Sequence, residues 1–94
     1  MTEPPQRRVA LATIRNKRGL HARASAKLVE VAARFQSHIT VSRDGQTVDA
    51  RSIMGLMMMA AAIGSQIEVV AEGPDANDAM VAILALIEAK FGED

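Results

Sequence analysis

The chain has 94 residues, no cysteine and a formal net charge of zero. That length fits one domain with one hydrophobic core. A hydrophobic content of 49% excludes a disordered chain, and the lack of cysteine excludes a disulfide framework, a thiol nucleophile and a thiolate metal site. The zero charge is a cancellation: residues 1–43 hold nine basic residues against two acids, a net +7, and residues 44–94 hold two against nine, a net −7. Such a split asks for a partner or ligand on the basic half.

The stretch from Met1 to Arg8 carries two prolines and no apolar region of the secretory type. The short apolar run after Arg7-Arg8 is cut by Arg15. No segment approaches the roughly 20 apolar residues of a membrane span. The expectation is a cytoplasmic protein without membrane insertion, one domain over 1–94 in which 1–6 forms a flexible extension.

Residues 8–14 read as a first strand, bounded by Pro5 and the polar loop Asn16-Lys17-Arg18-Gly19. A helix over 22–35 follows, with Ala24, Leu28, Val31, Ala32 and Phe35 on one stripe. His38 to Arg43 alternates as a strand with Ile39 and Val41 inward. Asp44-Gly45 is a hairpin turn, because a type I′ turn needs positive φ twice. The return strand covers 46–50 with Val48 on the core face. Ser52 opens a helix from Ile53 to Ala62, ended by Gly64, and Gln66 to Val70 is the last strand, broken by Gly73-Pro74. The final helix has Asp75 as N-cap, Asp78 in its first turn, a stripe of Ala79, Met80, Ile83, Leu84 and Ile87, and Gly92 past its end. The order β-α-β-β-α-β-α, with alternating strands and one-sided helices, predicts an α+β sandwich with helices on one face of a largely antiparallel sheet.

Chemistry concentrates at two helix starts. His21 follows a glycine turn at the threshold of the first helix, where Ser, Thr, Asp or Asn would cap better. Free backbone N–H groups and the positive end of the helix dipole make that point an anion site. Arg23 adds a guanidinium that can fork onto phosphate oxygens, and Arg15, Lys17, Arg18 and Lys27 are near in sequence. Neutral imidazole is a competent nucleophile near pH 7, so a histidine beside an anion site can accept a phosphoryl group and pass it on. Taken singly, a loop histidine is more often simply packed or solvated, and His38 receives that plain reading in full.

Ser52 is the second candidate. Its first duty is to cap the Ile53–Ala62 helix, and a phosphate there would add close to two negative charges beside Ile53, Met54 and Met57. Ile53, Leu56, Met57, Met58, Met59 and Ile63 are too many for one buried face, so some must be exposed, and methionine-rich surfaces suit adaptable docking. Two histidines 17 residues apart without ligand-spaced carboxylates do not make a metal site, Gly-rich nucleotide loops are missing, and nothing favours a Ser-His-Asp triad. No cofactor is expected.

Gly19-Leu20-His21-Ala22-Arg23-Ala24-Ser25 and Ser52-Ile53-Met54-Gly55-Leu56-Met57 resemble the two signature stretches of HPr, the histidine-containing phosphocarrier family of the bacterial phosphoenolpyruvate phosphotransferase system (PTS). The resemblance runs from about residue 7 to the end and takes in the Asp44-Gly45 hairpin. It implies the open-faced β-α-β-β-α-β-α sandwich, a four-stranded antiparallel sheet with three helices on one face. It makes His21 the phosphoryl acceptor through Nδ1 and Arg23 the residue that steadies the phosphate, helped by Ala22, Ala24 and Ser25. Enzyme I would be the donor and a IIA-type protein, of the sugar or nitrogen branch, the acceptor. Ser52 matches a serine that HPr kinase/phosphorylase modifies in many relatives. Leu20, Ile53, Met54 and Met57 match the patch on which Enzyme I docks, and presenting one site to several proteins suits a monomer. The family usually has proline after the arginine, where this chain has Ala24, and that departure bears on site geometry.

Two other classes compete. A regulatory or RNA-binding α+β module would use the basic half and the βαββαβ order, but sheet-based RNA readers stack bases on aromatics. This chain has only Phe35 and Phe91, each expected on a helix. A small regulatory ligand-binding domain gives His21, Arg23 and Ser52 no joint purpose.

Overall fold

The computed structural model describes residues 6–93. Four strands, β1 (Gln6–Thr13), β2 (His38–Arg43), β3 (Gln46–Asp49) and β4 (Gln66–Gly73), form one sheet in the order β1-β4-β2-β3, every neighbouring pair antiparallel. Helices α1 (Ala22–Ala32), α2 (Ile53–Met58) and α3 (Ala76–Glu88) lie on one side, and a single 3-10 turn, Lys90–Gly92, follows α3. The open-faced α+β sandwich is therefore the observed architecture. The expected extension over 1–6 falls mostly outside the described residues; Gln6, its last member, is already strand, paired with Gly73.

Alternation decides which side is covered. Along β4 the side chains of Ile67, Val69 and Ala71 are buried while Gln66, Glu68 and Glu72 face solvent, the period-2 pattern of a half-covered sheet. The register carries this inward face across the neighbours. Ala12 and Ala10 of β1 sit opposite Ile67 and Val69, and Ile39 and Val41 of β2 opposite Ala71 and Val69. Small side chains on β1 leave room for α3, whose Ala79, Met80, Ile83 and Ile87 are buried. Leu28 and Ala32 of α1 and Leu56 of α2 complete the core, with Val48 packed at its margin.

The elements differ from expectation mainly at their ends. Helix α1 stops at Ala32 rather than residue 35, because the next turn is tied elsewhere: the backbone N–H groups of Gln36 and Ser37 and the Ser37 hydroxyl all donate to the Asp75 carboxylate, at 2.9, 2.9 and 2.6 Å. Phe35 thus packs on the core from a turn. Asp75 stands at the N-cap position of α3 without capping it, and Gln6 Oε1 accepts from Asn77 N instead, at 3.1 Å. Helix α2 stops at Met58 rather than Ala62, since Ala60 is left-handed (φ 51°) and Arg43 Nη1 donates to the Met59 carbonyl at 2.9 Å, satisfying one of the free helix-end acceptors. The last helix ends at Glu88, short of the expected stop just before Gly92, because Lys90 and Phe91 are left-handed too.

The Asp75 carboxyl is held below its usual range, first by the Ser37 hydroxyl and then by the Gln36 amide. A group so lowered contributes stability above its unfolded value, about 3.9, and that contribution disappears as pH falls through the folded value. Asp75→Ala should therefore unfold at lower urea than wild type at pH 7, with the gap closing in acid below about pH 4. A gap independent of pH would contradict this account.

Candidate functional site

The site is built by the β1–β4 register. Thr13 pairs with Gln66, so the chain leaving β1 and the chain entering β4 begin side by side. Ile14 N donates to Ser65 O at 2.9 Å and Gly64 N to Ile14 O at 2.8 Å. Further along, Leu20 N donates to Ala61 O at 2.9 Å. Gly19 makes the approach possible. Its φ is +65°, and a Cβ there would lie 2.3 Å from Ala61 O. Only glycine meets both demands.

From this seat the chain enters α1. His21 is the N-cap in extended conformation, with no side-chain cap bond, so its imidazole is free for other work. The first intrahelical bond is Ser25 N to His21 O at 2.9 Å, which leaves the amides of Ala22, Arg23 and Ala24 as the unpaired donors of the helix start. Ala24 keeps one of those donors, but the residue is fully buried and does not present it to solvent. Ser25 contributes differently from expectation. It is buried, its amide closes the helix, and its hydroxyl donates to Leu20 O at 3.1 Å. Both of its donors are thus occupied in fixing the loop, and neither faces an incoming anion. Arg23 is exposed and forms no ion pair among the described residues.

The sequence reading missed the partner of the histidine. His21 Nε2 lies 2.5 Å from Glu93 Oε2, with the two side chains only 17% and 16% exposed. The other carboxylate oxygen, Oε1, accepts from Asn16 Nδ2 at 3.1 Å, and the same nitrogen donates to Gly19 O at 2.8 Å. Hydrogen bonds from His21 and then Asn16 hold the Glu93 carboxyl below its usual range, so it is an anion at neutral pH. An anion against Nε2 makes that nitrogen the N–H donor and leaves the lone pair on Nδ1. Glu93 stands 72 residues from His21, and no local spacing announces it.

Of the five basic side chains expected around the histidine, two have other partners. Arg15 pairs with Glu88 at 3.1 Å, and Lys27 Nζ donates to Phe91 O at 2.6 Å. Lys17, Arg18 and Arg23 are exposed and without ion pairs among the described residues.

Ser52 caps α2 as expected, its Oγ accepting from Gly55 N at 3.0 Å. Ile53 and Met57 are 40% exposed, and Met54 and Met58 69%. Leu20 does not belong to this surface. It is 4% exposed and part of the core, because the Leu20–Ala61 hydrogen bond turns its side chain under the loop. An open cleft of about 270 Å³ lined by Arg18, Leu20, His21, Met57 and Ala60–Ala62 joins the histidine to the methionine surface. His38 is on the open face of β2, 3.9 Å from Asp49, and takes no part. That open face carries Arg7, Val9, Leu11, His38, Thr40, Glu68, Val70 and Glu72 and no aromatic ring, so it offers no stacking platform for bases.

His21 thus stands at a helix N-terminus with Nε2 bonded to Glu93 and the exposed residues Ala22 and Arg23 beside it. The family model described as "PTS HPr component phosphorylation site" matches residues 10–89. The chain belongs to the HPr family. It is 58% identical to the phosphocarrier protein HPr of Cupriavidus necator over 81 residues, covering 86% of this chain and 91% of that one. Identity to the phosphocarrier protein NPr of Shewanella violacea is 43%, over 86% of this chain and 89% of that one. The crystal structure of HPr-C-His from Thermoanaerobacter tengcongensis superposes with a TM-score of 0.89 at 42% identity, covering 93% and 98% of the two chains. As an HPr-family member the chain is a phosphocarrier of the phosphotransferase system, which the rival regulatory and RNA-binding readings do not match. No helix among the described residues is long and apolar enough to cross a membrane.

Gly19→Ala should cost on the order of 2–3 kcal/mol, because the strained φ and the clash with Ala61 O act together. Urea unfolding reads this as a lowered midpoint with unchanged slope. A wild-type midpoint would mean that the loop is not seated on Ala61.

Proposed function

We propose that His21 is the phosphoryl acceptor. The observation that carries this is the Glu93 contact at Nε2, which leaves Nδ1 with its lone pair at the helix start, beside the exposed residues Ala22 and Arg23. Nδ1 attacks phosphorus, the N–P bond forms as the bond from phosphorus to the donor breaks, and the released donor group keeps that electron pair. In the reverse sense the same bond is passed to the next protein. The amides of Ala22 and Arg23 and the Arg23 guanidinium face the phosphoryl oxygens, with Lys17 and Arg18 adding positive potential. Enzyme I, charged from phosphoenolpyruvate, is the donor in this reading and a IIA-type protein the acceptor, so the chain works stoichiometrically as a carrier and not as an enzyme. Its setting is the cytoplasm, where phosphoenolpyruvate is made, and a single site shown in turn to two partners suits a monomer. Partner choice between the sugar and nitrogen branches rests with the IIA protein that takes up label.

Docking follows the exposed apolar surface of Ile53, Met54 and Met57, which the cleft connects to His21. Ser52 lies at the edge of that surface. Modified by an ATP-dependent HPr kinase/phosphorylase, it would place a dianion beside Ile53 and Met54, and burying those residues against Enzyme I would then require desolvating the phosphate.

Incubation with Enzyme I and labelled phosphoenolpyruvate should give acid-labile label on wild type and none on His21→Ala. Label retained by the variant rejects His21 as acceptor. Removing the Arg23 guanidinium in Arg23→Ala should slow uptake by about 10- to 100-fold, equivalent to one or two charge-assisted hydrogen bonds, with an unchanged rate excluding its role. With HPr kinase and ATP, acid-stable label should appear on wild type and vanish in Ser52→Ala. Survival of that label would reject Ser52.

A further inference from the structure

We infer that Glu93 is a positioning residue for phosphoryl transfer, its carboxylate fixing His21 in the Nε2–H tautomer and keeping that proton on the ring while Nδ1 carries the phosphoryl group. The inference rests on the reading of His21 as acceptor and adds the group that acts through it.

Three features show that the contact is built. The first is orientation. Asn16 Nδ2 bonds both Glu93 Oε1 and Gly19 O, so both hydrogens of the amide are committed to acceptors. The flipped amide would set its own oxygen against a carboxylate and a carbonyl, three acceptors together, so this orientation is the one chemistry permits. Asn16 Oδ1 is left buried and unbonded among the described residues. The fold thus tolerates an orphaned acceptor in order to aim the carboxylate.

The second is the backbone. Lys90, Phe91 and Gly92 are successive left-handed residues, with φ of 57°, 54° and 77°. Two of them are not glycine, and a left-handed pair of side-chain-bearing residues persists only where the surroundings over-determine it. Here Phe91 is fully buried, and its carbonyl accepts from Lys27 Nζ. Glu93 N donates to Lys90 O at 2.9 Å. The turn folds the chain back from α3 so that Glu93 meets the start of α1.

The third is the charge around the pair. Arg18 acts on Glu93 from the loop, Lys27 reaches the turn from α1, and Arg23 stands at the helix start. Hydrogen bonds from His21 and then Asn16, with a smaller contribution from the Arg18 charge, keep Glu93 ionised, so its oxygen accepts and Nε2–H donates.

The chemistry follows from that proton. Attack through Nδ1 turns a neutral ring into a positively charged N-phosphoimidazolium, and the carboxylate at Nε2 faces the charge as it develops. When the phosphoryl group moves on, the ring leaves as neutral Nε2–H imidazole. Had Nε2 lost its proton, the departing group would be an imidazolate, a far poorer leaving group. Glu93 therefore favours transfer in both directions without touching the phosphorus.

The test is nitrogen-15 NMR of the His21 ring, with transfer assays on the same samples. At a pH where the ring is neutral, unphosphorylated wild type should show one Nε2–H tautomer, with Nδ1 of unprotonated type, and Glu93→Gln should show a mixture. After phosphorylation at pH 7, wild type should keep a protonated-type Nε2, and the variant should shift toward the unprotonated type. Transfer from the phosphorylated variant to a IIA acceptor should slow about tenfold, with Glu93→Asp recovering part of the loss. Thermal melting monitors the fold of each variant, and Asn16→Ala should reproduce the tautomer mixture with Glu93 intact. A single Nε2–H tautomer in folded Glu93→Gln would overturn the inference, as would unaltered onward transfer. The tautomer is read without phosphorylation, so failure of His21 to take label would count against the acceptor assignment alone.

Discussion

Strand β4 is the constraint on which the rest of the molecule depends. It is an inner strand of the described sheet, and the partners along its two long edges, β1 and β2, come from distant parts of the chain. Burial of Ile67, Val69 and Ala71 on one side fixes its register, because a slip of one residue would turn the glutamates into the core and the apolar set into water. With β4 fixed, the end of β1 must lie beside the start of β4. The loop carrying His21 is then laid along the segment from Ala61 to Ser65, and its position is a consequence of sheet register.

That placement reconciles a neutral chain with a site for phosphate. The two halves of opposite charge interleave on folding. Arg7 meets Glu72 and Arg15 meets Glu88, pairs that cross the division between halves, and exposed pairs of this kind add little stability. Their effect is to quench positive charge away from the site while Lys17, Arg18 and Arg23 remain unpaired beside the helix start. One acid also comes to the site, Glu93, and it bonds Nε2, the ring nitrogen left out of the proposed attack through Nδ1. Positive potential where an anion arrives and negative charge where a proton must stay can coexist because the two nitrogens of one imidazole face different surroundings.

How far the sequence revealed this arrangement depended on the range of each interaction. Strand alternation, the Asp44-Gly45 turn, the Ser52 cap and the His21 helix start are local, and all four stand where the residues indicated. Errors gathered where a distant group overrode a local tendency. Asp75 had the position of a helix cap, but two amides and a hydroxyl from residues 36 and 37 claimed its carboxylate. Leu20 had the position of a surface residue, yet the Gly19 turn and Ala61 drew it into the core. Ser25 looked like a phosphate donor, and the carbonyl of Leu20 took its hydroxyl. Phe91 had a place in a helical pattern, while burial of its ring in left-handed backbone ended that helix and brought Glu93 back. The Asn16–Glu93–His21 link spans nearly the whole chain, and only a three-dimensional contact could reveal it.

The methionine surface next to the site has the opposite character to the site itself. Around His21 the groups are fixed by buried and part-buried hydrogen bonds, as the proposed transfer at Nδ1 requires. On α2, Met54, Met57 and Met58 are exposed on a helix of six residues, and their unbranched side chains repack at small cost. A carrier must lower one chemical barrier in the same way with every partner while presenting a surface that fits different partners in turn. Rigidity and adaptability therefore belong to adjacent elements, and the division falls along the cleft between His21 and Met57. On the proposed reading, stiffening the methionine side would narrow the range of partners, and loosening the histidine side would misplace the reacting nitrogen. The left-handed Ala60, which ends α2 at that boundary, keeps the helix short enough for its methionines to flank the cleft without covering the ring.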